Sequence, residues 1–278
     1  LKSLSKSGFS PTSLTQYIRN PMDFYKRYVL GINPQDEVEE TIAANTLGTV
    51  VHESLKLLYA PLLNKALTPK KIQALIPKIN EVVLEQFKHV YKKGGIEYGK
   101  NLIVFEVAKR YILNFLNSEL KMLEQGNSIT VLEVEGDVKV PIEIDGLEYK
   151  VNLKGQIDRV DLCNGTLRII DYKTGLVEPQ QVKINEWADL TTDYKKYSKS
   201  FQVLFYAYIL NCRSPFTHPV EAGIISFKNL GRGFMKFEQQ GEGALVNNAT
   251  LLHFEKELKN LILEIFDPHI AFVEKEIL

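Results

Sequence analysis

Cysteine is scarce: Cys163 and Cys212 are the only two in 278 residues. That excludes a disulfide framework and a cysteine-rich zinc or iron–sulfur site built by this chain alone. A reducing compartment, the cytoplasm, is the expected location. Long apolar runs are also missing. None approaches the roughly 18 residues of a membrane helix, so no membrane partner is expected. The opening "LKSLSKSGFS" lacks the apolar centre of a signal peptide. Neither sign of charge is in excess, with 34 basic and 34 acidic residues. A uniformly basic coat is thereby excluded, whereas a local basic patch is not. No G-x-G-x-x-G or Walker-type run occurs, which argues against an enzyme of small phosphorylated ligands built around a phosphate loop. Internal repeats and low-complexity tracts are absent as well. The first residue is Leu1, not Met, which makes a longer parent polypeptide attractive.

The composition is 45% hydrophobic, enough for a substantial core. The amino-terminal half reads as helical. "SPTSLTQYIRNPMDFYKRYVLGI" (10–32) opens on a Ser-Pro start signal, and Asn20-Pro21 divides it into two short helices. Its Tyr17, Phe24, Tyr25 and Tyr28 recur at helical spacing and read as a core-facing stripe. A second helix is expected over 45–63, with Leu47, Val51, Leu55 and Leu58 on its apolar face. Two long amphipathic helices follow, 67–93 and 101–126, separated by a glycine-containing connection.

Near residue 128 the pattern changes to β-branched and alternating. Strands are expected over 128–144, 147–162 and 166–174, joined by tight turns at Asp145-Gly146 and Asn164-Gly165 in an antiparallel meander. The polar stretch up to residue 197 is long for a loop and reads as mobile or functional. A helix (199–212), two strands (220–229 and 233–239) and a closing helix (243–267) complete the chain. The expectation is one α/β domain over 1–278, with a helical elaboration at about 60–127 and a core at about 128–240.

The chemistry concentrates in "IIDYKTG" (169–175). Asp171 and Lys173 are two apart, so a strand presents both on one face. Asp158 lies on the preceding strand, which the Asn164-Gly165 turn folds back beside it. Two neighbouring carboxylates repel, and a hard divalent cation relieves that repulsion through oxygen ligands. Two acids and a lysine around Mg²⁺ form a logical phosphodiester-cleaving site.

"GQIDRVDLCNGTLRIIDYKTG" resembles the RecB-type branch of the PD-(D/E)xK nuclease superfamily, whose pattern is Gly-x-x-Asp-Arg, then Asp-Tyr-Lys-Thr-Gly. "GTVVHESL" is similar to that family's helical motif with a metal-proximal histidine, here His52. "FQVLFYAYIL" is similar to its Gln-x-x-x-Tyr helix, here Gln202 and Tyr206. The segment 10–32 resembles the lead-in of AddB-like helicase–nuclease subunits. The resemblance implies a restriction-endonuclease-like α/β fold, with a central mixed β-sheet flanked by helices and a large amino-terminal helical elaboration. It implies a Mg²⁺- or Mn²⁺-dependent deoxyribonuclease, an exonuclease in DNA repair, acting on DNA ends or single strands. Its partner would be a helicase subunit or the rest of a longer polypeptide. A catalytically idle nuclease-like module that binds DNA or scaffolds a helicase is the alternative.

In that reading His52, Asp158, Asp171 and the main-chain carbonyl of Tyr172 hold the metal. Asp158, Asp171, Lys173 and Gln202 are the catalytic set. Arg159, Gln202, Tyr206, Lys195, Lys196 and Lys199 contact DNA. Glu133 and Glu135 alternate onto one strand face, near the site or simply solvated. Arg159 either reaches a phosphate or pairs with a nearby acid, and Asp161 reads as a turn residue. His89, His218, His253 and His269 are assigned nothing. Many AddB-like relatives carry a cysteine before the lead-in proline and three more at the carboxyl end, which ligate an iron–sulfur cluster. This chain has Asn20 there and no cysteine after Cys212, so no cluster is expected, and packing must hold the two ends together.

Overall fold

The computed structural model describes residues 1–32, 44–90 and 99–275. Its helices are α1 (Lys2–Ser7), α2 (Pro11–Arg19), α3 (Pro21–Phe24), α4 (Ala44–Tyr59), α5 (Pro69–Gln73), α6 (Ile79–Val90), α7 (Gly99–Glu124), α8 (Tyr194–Arg213) and α9 (Asn248–Phe266). Its strands are β1 (Ile129–Ile142), β2 (Val151–Cys163), β3 (Thr166–Lys173), β4 (Lys183–Ile184), β5 (Val220–Ser226), β6 (Phe234–Lys236) and β7 (Glu238–Gln239). This is an α/β fold around a mixed five-stranded sheet of order β1-β2-β3-β5-β6, of the restriction-endonuclease-like kind.

The meander β1-β2-β3 is antiparallel, as its alternation predicts. Asn164 and Gly165 both take positive φ, 51° and 85°, the conformation of a two-residue hairpin turn whose twist matches the strands. β3 and β5 run parallel, which demands a crossover, and α8 supplies it. A β-carbon on Gly155 of β2 would meet Tyr206 and Ile209 of α8 at 3.0 and 3.1 Å. Glycine there lets α8 lie close against the sheet. α8 also buries Phe201, Leu204 and Phe205 completely, each worth about 1.5–3 kcal/mol. One core lies between the sheet, α2, α8 and α9, and a second lies under α4, α6 and α7.

Three expectations are corrected. The region 67–93 is not one helix: Thr68 caps α5, a 3₁₀ turn at Ile76–Lys78 contains Pro77, and α6 starts at Ile79. A proline lacks the N–H that an interior helical position needs, so the helix breaks there. The glycine-containing connection beyond it, at 91–98, lies outside the described residues. Asp145-Gly146 is not a two-residue hairpin turn, because β1 ends at Ile142 and β2 begins at Val151. The stretch after β3 is packed: Val177 in irregular chain, and Val182, Ile184 and Leu190 on short 3₁₀ turns and β4, are each about 1% exposed.

The two ends of the described chain meet through aromatic rings. Phe272 lies 5.0 Å from Tyr25, 6.0 Å from Tyr17 and 6.1 Å from Phe24, between ring centroids. Tyr17 also donates its hydroxyl to Glu264 on α9 at 2.8 Å. The amino-terminal aromatic stripe is thus a seam closed by the carboxyl-terminal segment.

Candidate active site

The β2–β3 ladder ends at Arg159 opposite Ile170. One step further, Asp158 and Asp171 face each other where the strands part. With no backbone partner on β2, the Tyr172 N–H donates to Asp158 Oδ2 instead, at 2.6 Å. Asp171 and Lys173, on the same face, form an ion pair of 2.7 Å. Glu135 comes from β1 and His52 from α4. His52 Nδ1 lies 3.2 Å from Glu135 Oε1 and 3.4 Å from Asp158 Oδ1. Ligand atoms of His52, Glu135 and Asp158 all fall within 4.8 Å of one another. An open cleft of about 620 Å³, lined among others by Thr12, Asn45, His52, Glu135 and Lys173, gives access.

Burial sets the electrostatics. Asp171 is 2% exposed, and its pKa rises to about 6. Desolvation is the main cause, with Lys173 pulling the value down and Asp158 pushing it up. Burial alone would lower His52, but the neighbouring Asp158 and Glu135 carboxylates outweigh that and raise it to about 10. Burial likewise works against Lys173, and Asp171 and Asp158 together raise it. Tyr206 is raised by burial and then by the charges of Asp171 and Asp158, which places it beside the acids. Its hydroxyl accepts a hydrogen bond from Gln202 Nε2 at 2.9 Å. Lys199 is lowered by burial and then by the charge of Lys173.

Glu135 Oε1 and Asp171 Oδ2 are buried without a hydrogen bond, although each has a cationic neighbour at ion-pair distance. Buried carboxylate oxygens are ordinarily satisfied. Glu135 Oε1 belongs to the compact set with His52 and Asp158, whose donor atoms fit a divalent cation, while Asp171 lies outside that set and is held by Lys173.

A model of the PD-(D/E)xK nuclease superfamily matches residues 8–276. The chain belongs to that superfamily. Curated relatives agree in kind. The B-type component of the ATP-dependent helicase/deoxyribonuclease of Alkaliphilus metalliredigens is 27% identical over 183 residues, 61% of this chain and 16% of the relative. Its counterpart in Alkaliphilus oremlandii is 25% identical over 182 residues, again 61% and 16%. That of Streptococcus agalactiae is 24% identical over 172 residues, 59% and 14%. The chain therefore matches about one-sixth of the length of these relatives.

Of the nuclease residues expected from the sequence, His52, Asp158, Asp171 and Lys173 lie together, and on α8 Lys199 and Tyr206 are near enough to feel their charges, with Gln202 bonded to Tyr206. Tyr172 contributes its backbone there, while its ring is buried on the other face of the sheet. Lys195 and Lys196 are exposed on the first turn of α8, farther out. Arg159 is corrected: it is 0% exposed and paired with Glu119 and Asp161 at 2.7 Å, so it reaches no phosphate. Asp161 is corrected as well. It is no turn residue but a fully buried member of β2 that also holds Arg168. Glu133 and Glu135 do not share an environment. An irregularity in the β1–β2 register at Val131/Glu133 and a positive φ of 47° at Glu135 separate them. Glu133 pairs with Arg213, and Glu135 enters the site.

The candidate ligand that sequence reasoning left undecided is thus Glu135, and the residue it missed is Glu119. An acid on the otherwise apolar stripe Ile112, Phe115, Leu116 and Leu123 of α7 was the available signal. The Asn20 carboxamide caps α3 through Met22 N–H at 3.0 Å, and the two cysteines end β2 and α8.

Proposed function

We propose that this chain is a divalent-metal-dependent deoxyribonuclease, acting as an exonuclease in a helicase–nuclease system of DNA repair. The observation that carries this reading is the cluster of half-buried His52 with buried Glu135 and Asp158 beside the Asp171–Lys173 pair, open to a cleft. His52, Glu135, Asp158 and Asp171 would hold Mg²⁺ or Mn²⁺. The Tyr172 carbonyl joins them in this reading, because a strand residue directs its N–H and C=O to the same side, here toward Asp158. When bound, the ion lowers the pKa of a water molecule and neutralises phosphate charge.

Lys173 provides a fixed cation where charge builds on the phosphorus in the transition state. Gln202, held by Tyr206, orients the attacking water or the strand. Lys199 meets the phosphate backbone at the cleft, and Lys195 and Lys196 extend the contact outward. Such contacts favour DNA without reading its bases, so binding is salt-dependent and tolerant of sequence. The relatives' name, helicase/deoxyribonuclease, supports both the DNA substrate and a helicase partner.

The test is digestion of end-labelled linear single- and double-stranded DNA with Mg²⁺ or Mn²⁺, beside Asp171→Ala and Lys173→Ala. Metal-dependent cleavage lost in both variants is expected. Cleavage persisting in both would refute the site. Binding without cleavage under any divalent ion would favour the idle module.

A further inference from the structure

Behind the site, on the opposite face of the sheet, lies a second set of charges that cleavage does not use. Glu119 of α7, Arg159 and Asp161 of β2, and Arg168 of β3 are all buried, two anions against two cations. Arg159 Nη2 lies 2.7 Å from both Glu119 Oε1 and Asp161 Oδ2. Arg168 donates twice to Asp161, at 2.7 and 2.8 Å. Tyr59 of α4 donates its hydroxyl to Glu119, and the Arg159 guanidinium lies 5.0 Å from the Tyr59 ring centre. The Tyr172 hydroxyl faces Arg159 Nη1 at a long 3.5 Å.

The elements joined here are those that carry the site. α4 bears Tyr59 and, about two turns earlier on the same side, His52. β2 alternates Asp158 into the site and Arg159 away from it. β3 alternates Asp171 and Lys173 into the site and Tyr172 away. Tyr172 touches both systems. Its ring packs edge-to-face on His52 at 5.9 Å, and its backbone N–H holds Asp158. Apolar packing alone permits small slides of a helix over a sheet, whereas a buried ion pair that carries no hydrogen bond of its own at Arg159 Nη2, flanked by the Tyr59–Glu119 and Arg168–Asp161 hydrogen bonds, ties α4 and α7 to one place on the sheet.

We propose that Glu119, Arg159 and Tyr59 are positioning residues: through Tyr172 they set α4 against β2 and β3, so that Asp158 and His52 are pre-aligned for the ion. The proposal rests on the metal reading above, and its test separates the two. Glu119→Gln keeps shape and removes the charge, and Tyr59→Phe removes a single hydroxyl should Glu119→Gln not fold. Amide hydrogen exchange in the metal-free protein compares Tyr172 with Ile169, central in the same strand. Selective acceleration at Tyr172, roughly tenfold, is expected. Exchange at Tyr172 that is unchanged, or that merely keeps step with Ile169, would overturn the proposal, since loss of global stability alone moves both. In the folded variants Mn²⁺ affinity, read by electron paramagnetic resonance, should weaken roughly 10- to 100-fold, the usual effect of removing groups that orient ligands. Unchanged affinity would also overturn it. Unaltered chain that fails to bind Mn²⁺ would contradict the metal reading instead, leaving the exchange comparison to decide this one.

Discussion

Lys173 Nζ lies 2.9 Å from Asp171 Oδ1 and 2.7 Å from Asp171 Oδ2, so one ammonium spans both oxygens of a buried carboxylate. The ammonium stabilises the ionised form of Asp171 and leaves its own charge at the cleft. Lys173→Ala should lower kcat about 10²- to 10³-fold, the scale for removing one preorganised charge from a transition state. Because Lys173 pulls the Asp171 pKa down, its loss should also move the acid limb of the pH–rate profile upward. A rate loss with no displacement of that limb would mean that the pair is not coupled.

The metal-free protein should lose stability as pH rises. His52 is raised from 6.5 to about 10 in the folded state, so folding takes up a proton between those values. That contribution is fully present below pH 6.5 and is lost as pH climbs through about 10. Asp171, raised from 3.8 to about 6, acts in the same direction over its own lower window. Melting points from pH 6.5 to 10 should therefore fall, and His52→Gln should flatten the curve. Mg²⁺ binding requires neutral imidazole and should release protons, visible as buffer-dependent calorimetric heats.

Arg159→Ala should act on stability and not on DNA contact. It strips the partner from Glu119 in a buried site, a change that costs about 3–5 kcal/mol. Chemical denaturation measures this directly, and the salt dependence of DNA binding should keep its slope. In contrast, Lys195→Ala and Lys196→Ala should leave stability unchanged and reduce that slope by about one each.

The same alternation that makes "DYK" legible as a site explains the misreading of Arg159. Asp171 and Lys173 share a face because they are two apart, and Asp158 and Arg159 cannot because they are adjacent. The meander was readable because β-branched alternation and Asn164-Gly165 are local signals. Glu135 was not, because an irregular register and a left-handed residue interrupt the period that would have placed it. The stretch from Val177 to Leu190 buries only Val177, Val182, Ile184 and Leu190, at no single period. Its apolar residues are anchored one by one, so its order depends on tertiary contacts.

Phe272→Ala should loosen the aromatic seam without touching the site. Losing three ring contacts on a partly buried residue should cost about 2 kcal/mol. That corresponds to a melting point lower by roughly 5 °C. Activity at low temperature should be retained, and an intact melting point would show that the seam contributes little.

The most direct measurement is anomalous X-ray scattering from crystals soaked in Mn²⁺. A peak is predicted among the side chains of His52, Glu135 and Asp158, lost in Asp158→Ala. Well-occupied Mn²⁺ elsewhere, with no peak within reach of these three groups, would contradict the metal site.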